Sequence, residues 1–145
     1  MSPSASPSAG YEVYSRGDEL NLPANDTDLE TSYNAQDYLD VDTNNEVRVD
    51  QTATQEYMIH EFKDWVGTNA FCHLEWEGKS TLAPLTSPVI LQIYNRSGVP
   101  AWEEIDTDDT SSADADFLLE ADIPDLTDYK DANSVISCRI YQLAL

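Results

Sequence analysis

The sequence is poor in positive charge. Seven Lys and Arg stand against 28 Asp and Glu in 145 residues, a formal net charge of −21. Lysine occurs only at Lys63, Lys79 and Lys130. Such a surface repels phosphate backbones and anionic headgroups, which argues against nucleic acid and membranes as partners. No stretch approaches the roughly 20 consecutive apolar residues of a membrane span. The opening Met1-Ser2-Pro3-Ser4-Ala5-Ser6-Pro7 has neither the basic nor the apolar region of a secretory signal peptide. Cysteine is scarce. Cys72 and Cys138 belong to no Cys-x-x-Cys pair, and His60 and His73 lack ligand spacing, so zinc is not expected. Each cysteine reads as a buried free thiol in a strand; a disulfide would need the two strands to be neighbours with close Cβ atoms. No nucleophile–base constellation is recognisable. The carboxylate pairs Glu103-Glu104 and Asp108-Asp109 do not suit glycosidase chemistry, which needs two facing carboxyls; neighbours on a strand, as at Glu103-Glu104, point to opposite faces. The chain therefore reads as non-enzymatic.

What is present is alternation. With 41% hydrophobic residues the chain can build one domain with a real core. In Val89–Tyr94, Val89, Leu91 and Ile93 fall on one face and Ile90, Gln92 and Tyr94 on the other, the period-two pattern of a strand. Asn95-Arg96-Ser97-Gly98 is turn chemistry, and Trp102 starts the returning strand. Further strands are expected at Asp37–Val41, Glu46–Asp50, Thr54–Phe62, Ala70–Glu77, Phe117–Ala121 and Val135–Ala144. About eight strands at this spacing, with no convincing helix, predict an all-β, jelly-roll-like antiparallel β-sandwich. The expected organisation is an extended N-terminal arm over residues 1–36 and a β-sandwich domain over 37–145. Tyr11, Val13, Tyr14, Leu20 and Leu22 are the arm residues expected to dock on a partner.

The acid excess has three readings: solubility, cation binding, or adaptation to high salt, which scarce lysine suits. Asp106, Asp108, Asp109, Asp114 and Asp116 are candidate calcium ligands, since calcium takes six to eight oxygens; the run lacks the Gly and terminal Glu of an EF-hand loop, and a solvated acidic loop is the default reading. His73 should point to solvent among carboxylates. Arg16-Gly17-Asp18 spells an integrin-type tripeptide but reads as an exposed turn. Asn25-Asp26-Thr27 and Asn95-Arg96-Ser97 fit a glycosylation pattern and also read as turns.

The ordered string Leu74-Glu75-Trp76-Glu77-Gly78, Leu91-Gln92-Ile93-Tyr94-Asn95, Trp102-Glu103, Asp114-Ala115-Asp116-Phe117 and Arg139-Ile140-Tyr141-Gln142 resembles a jelly-roll module found in structural proteins of tailed phages and related viruses, and in some bacterial surface proteins. The resemblance covers roughly residues 69–143 and carries no catalytic residues. It implies a capsid decoration (cement) protein, or else a tail or fibre component, located in the virion and assembled in the host cytoplasm. The partners it implies are a major capsid protein, other virion proteins and further copies of the chain. A carbohydrate-binding β-sandwich is the other expectation, with Trp65, Trp102 and Tyr129 as aromatic platforms.

Overall fold

The computed structural model describes residues 13–42 and 48–145. Its strands are β1 (Val13–Glu19), β2 (Thr31–Ser32), β3 (Tyr57–Trp65), β4 (Cys72–Gly78), β5 (Val89–Asn95), β6 (Ala101–Asp108), β7 (Phe117–Ile123) and β8 (Val135–Leu143), with one helix, α1 (Ala35–Asp42). A six-stranded sheet runs β2-β1-β3-β8-β5-β6, and β4 and β7 form a second, two-stranded sheet. Every pairing is antiparallel. The fold is all-β and sandwich-like, as the alternation predicts.

Three pairings are nested. β3 pairs with β8, β4 with β7, and β5 with β6. Residues 57–143 therefore form one long hairpin, turned at Asn95-Arg96-Ser97-Gly98 and rolled so that successive pairs alternate between sheets. That is the wrap of a jelly roll, here with six strands. Gly98 holds a left-handed φ of 63° at the turn, and Ser97 N–H donates to Asn95 Oδ1 at 2.8 Å. A bulge in β6, where Ile105 has no partner opposite Leu91 and Gln92, re-aims the strand. Beyond it, Glu120 N–H donates to Asp106 Oδ2 at 2.8 Å, so β7 touches β6 and the sheets meet along one side.

The inner faces make the core. One cluster joins Cys72, Leu74, Ile93, Ile123, Leu126, Ile136 and Cys138; the other joins Tyr14, Tyr33, Val41, Phe62, Leu91, Phe117, Leu119 and Ile140. Both cysteines are buried free thiols. Burial pushes Cys72 up to about 11 and Cys138 well above the ordinary thiol range, which keeps both unreactive at neutral pH.

Three expectations need correction. Residues 37–41 are helical. Asn34 and Asp37 cap each other reciprocally, Asp37 N–H to Asn34 Oδ1 and Asn34 N–H to Asp37 Oδ2, both at 2.9 Å, which closes a capping box. One helical turn then carries Tyr38 and Val41 to the core while Leu39 stays exposed. Of the strand expected at Glu46–Asp50, Glu46 and Val47 lie outside the described residues, and 48–50 belong to no strand. Arg16-Gly17-Asp18 is no turn; it lies in mid-strand, opposite His60, Ile59 and Met58.

The arm differs most. Its first twelve residues, Tyr11 among them, lie outside the described residues. From Val13 on it is extended, but it pairs within its own sheet: all seven residues of β1 pair with β3. Tyr14 is 1% exposed, and its hydroxyl donates to Asp64 Oδ1 at 2.6 Å. Its ring packs edge-on against Tyr33 and Phe62. A large aromatic with a short charge-assisted bond gains more inside its own chain than as a free tether. Val13 and Leu20 remain exposed, and Leu22 is half-buried. No helix among the described residues is long and apolar enough to cross a membrane.

Deleting residues 1–36 removes Tyr14, Leu29 and Tyr33, all buried. The product is expected to lose cooperative unfolding by circular dichroism; a sharp melt would show that the sandwich stands without β1. A Cβ at Gly78 would lie 2.2 Å from the Trp76 ring. Gly78→Ala should therefore cost about 1–3 kcal/mol in urea unfolding, and an unchanged midpoint would show that the ring gives way freely.

Candidate functional site

Among the described residues, a cavity between the sheets and a buried polar face both combine enclosure with polar chemistry. The first is a cavity of about 580 Å³ at one end of the space between the sheets. Met58 and His60 of β3, Ile140 and Gln142 of β8, and Trp76 and Phe117 of the second sheet form its walls. Residues 48–53 and 79–82 edge it. Its size falls within the roughly 300–1,000 Å³ of small-molecule sites. His60 faces inward because the period of β3 places it with Met58 and Phe62. Tyr33 Oη lies 2.7 Å from His60 Nδ1. Desolvation, helped by the Arg16 charge, pushes the His60 pKa down to about 3. The imidazole is thus neutral near pH 7 and shares one hydrogen bond with the Tyr33 hydroxyl through Nδ1. So weak a base abstracts no proton at neutral pH; it can offer a hydrogen bond. Gln142 holds the far wall, donating from Nε2 to Leu82 O and Ser87 O at 2.9 and 2.8 Å and accepting from Ser80 Oγ at 2.6 Å.

The second place is the outer face of the six-stranded sheet, where residues 20–30 cross as a strap. Arg139 Nη1 donates to Pro23 O at 2.7 Å, and Trp102 Nε1 to Asn25 O at 3.2 Å. Asp26 Oδ2 accepts from Arg96 Nη2 at 2.9 Å and from Ser137 Oγ at 2.7 Å. Lys63 Nζ pairs with Asp28 at 2.7 Å, and Leu29 N–H donates to Ser15 Oγ at 2.9 Å. Burial alone would raise Asp26, but the bonds from Ser137 and Arg96 outweigh it and hold the carboxyl below its ordinary value. Beneath the strap Glu61 is 2% exposed, directly opposite Arg139, with Lys63 Nζ 3.8 Å away. Its Oε1 makes no hydrogen bond. Desolvation therefore pushes Glu61 up to about 8 despite the lysine, and draws Arg139 down to about 10.

The calcium candidates do not converge. Asp106 accepts from Thr107 N–H and Glu120 N–H. Asp108 caps its own turn through Thr110 and Ser111. Asp116 pairs with Arg48 at 3.1 Å, and Asp109 and Asp114 are exposed. Among the described residues the group that brings three potential ligand atoms within 4.8 Å of one another is His73, Glu75 and Glu120. Sequence spacing missed it because Glu120 joins from another strand; the alternation of Ala70–Glu77 had signalled only that His73 and Glu75 share a face.

The aromatic platforms are engaged. Arg139 covers the Trp102 ring at 4.2 Å from its centroid, and Tyr94 packs beside it. Tyr129 Oη donates to Glu103 Oε2 at 2.8 Å, and Asn95 Nδ2 also binds Glu103. Glu103 thus serves the fold, while Glu104 faces solvent. Trp65 lies against Gly67, where an added Cβ would meet its ring at 2.8 Å. Thr27 N–H donates to Asn25 Oδ1 at 3.1 Å, so Asn25-Asp26-Thr27 is a turn, as expected.

No protein-family model matches the chain, and neither curated proteins nor solved structures gave a match.

Protonated Glu61 is the favoured form in the folded state. Its contribution is full below the ordinary glutamate range and is lost as pH rises to about 8. Glu61→Gln should match the parent at about pH 4 and exceed its stability by about 1–4 kcal/mol at about pH 9 in urea unfolding. Parallel stability profiles for the two proteins would refute the buried carboxylate.

Proposed function

We propose that this protein is a non-enzymatic structural component of a virus particle, a capsid decoration protein of a tailed virus. One observation carries the reading: the segments that resemble virion jelly-roll modules are those that form the nested strand wrap. Their marked residues do structural work. Trp76 packs over Gly78 and against Phe117, Asn95 holds Glu103, Arg139 stacks on Trp102, and Gln142 fastens the loop of residues 80–87. A rigid sandwich with engaged carboxylates and a neutral, weakly basic His60 suits a load-carrying part better than an acid–base catalyst.

Attachment would use the surface that the fold leaves open. Among the described residues β4 pairs with β7 alone, which leaves its other edge for strand addition. Phe71, 71% exposed at the start of β4, supplies an apolar anchor beside that edge. The acidic remainder of the surface would keep free copies apart, and repetition over a lattice would strengthen individually weak contacts.

Purified particles from the virus encoding the chain should contain it in many copies, regularly placed on the shell, by mass spectrometry and electron cryo-microscopy. Purified protein should also bind undecorated shells saturably, and Phe71→Glu should weaken that binding. Particles lacking the protein would sink the proposal; a few copies confined to the tail would reassign it to a tail component.

A further inference from the structure

On the outer face of the two-stranded sheet, four side chains form a two-by-two array. His73 lies opposite Asp122, and Glu75 opposite Glu120. The period of two puts all four on one face, turned away from Leu74 and Leu119 in the core. Asp122 Oδ1 lies 2.6 Å from His73 Nδ1. His73 Nε2 lies 3.0 Å from Glu75 Oε1 and 3.4 Å from Glu120 Oε2.

We propose that His73, Glu75 and Glu120 form a binding site for a divalent transition cation of the zinc type, with Asp122 as its positioning residue. The carboxylate of Asp122 accepts a hydrogen bond from Nδ1–H. That fixes the ring and its tautomer and aims the Nε2 lone pair at the two glutamates, the arrangement that supports metal-bound histidines generally. Zinc sits about 2.0–2.2 Å from nitrogen and oxygen ligands, so tetrahedral ligands are about 3.3–3.6 Å apart. The distances from Nε2 to the two carboxylates are already near that edge length. Three protein ligands on an open surface leave the fourth position to water.

Two features point to a cation rather than to solvated charge. Glu75 and Glu120 are directly opposite one another, a like-charge cross-strand pair that by itself weakens a sheet. Among the described residues no Lys or Arg ion pair relieves them; the cationic partner of Glu75, Glu120 and Asp122 is His73 alone. A bridging cation converts that repulsion into a cross-link between β4 and β7, which among the described residues pair with each other alone. The imidazole nitrogen selects zinc-type ions over calcium and magnesium, which favour all-oxygen shells. The site stands apart from the cavity and the strap, and it is independent of the virion proposal.

The test is titration of the full-length protein with zinc chloride, by calorimetry and by NMR of the two imidazoles. One Zn²⁺ should bind, shifting the His73 resonances and leaving those of His60 unmoved. The melting temperature should rise by several degrees at about 100-fold excess over Kd. His73→Gln and Glu120→Gln should each weaken binding by about 100-fold or more, and Asp122→Ala by about 10–100-fold. Asp122→Asn, which keeps an acceptor for Nδ1, should restore part of that loss. These side chains lie at the surface, so the metal-free variants should still melt cooperatively, which verifies folding. Absence of Zn²⁺ binding would reduce the array to an ion-pair network. Binding that survives His73→Gln, or that a large excess of Ca²⁺ displaces, would show adsorption by the acidic surface and overturn the site.

Discussion

Both faces of β8 are buried, and only one of them is apolar. Ile136, Cys138 and Ile140 enter the core between the sheets, while Ser137 and Arg139 point the other way and are equally hidden. A guanidinium taken from water needs partners on every side. Arg139 finds them in Gln92 Oε1 at 2.7 Å, Pro23 O, and the ring of Trp102. Ser137 and Arg96 meet at Asp26. The strap of residues 20–30 is therefore the condition for a sheet with two buried faces. β1 and β2 are the two ends by which the strap is tied down.

The same logic explains where the acid excess goes. Much of it is not a uniform charged shell. Asp26, Asp28 and Asp116 each meet one of the few cations, and Asp37, Asp108, Asp125 and Asp131 accept backbone N–H groups at turns or at the helix start. Carboxylates suit such positions because short acceptors hold turns closed. Glu61 departs from this pattern. It is enclosed with one oxygen unbonded, and burial keeps it protonated at neutral pH despite the charges of Lys63 and Arg139 nearby. Glu75, Glu120 and Asp122 instead gather around His73 on the outer face of the smaller sheet.

Alternation made β3, β4, β5, β7 and β8 legible, because each has one face in the core and a period-two pattern follows directly. It also placed His73 among carboxylates and the turn at Asn95–Gly98. It misread Asp37–Val41, where two core-facing residues three apart fit a strand poorly and a helix well; the Asn34–Asp37 reciprocal cap was the local sign. It read residues 1–36 as an arm, since Tyr14 and Leu29 are spaced too widely to announce a buried strand and strap. The cavity beside His60 and the array at His73 were illegible for another reason. Their members come from strands distant in sequence, and register alone brings them together.

The sequence by itself determined the class of fold, the positions of most strands and the acid-dominated surface, because strand period, turn residues and charge are local properties. Tertiary structure decided which strands nest, that Tyr14, Leu29 and Tyr33 are buried in the chain's own fold, that Glu61 and Arg139 are buried, and that His73 meets Glu120 across a sheet. Those depend on which backbones pair and in what register, and a one-residue shift would turn every one of these side chains to the opposite face.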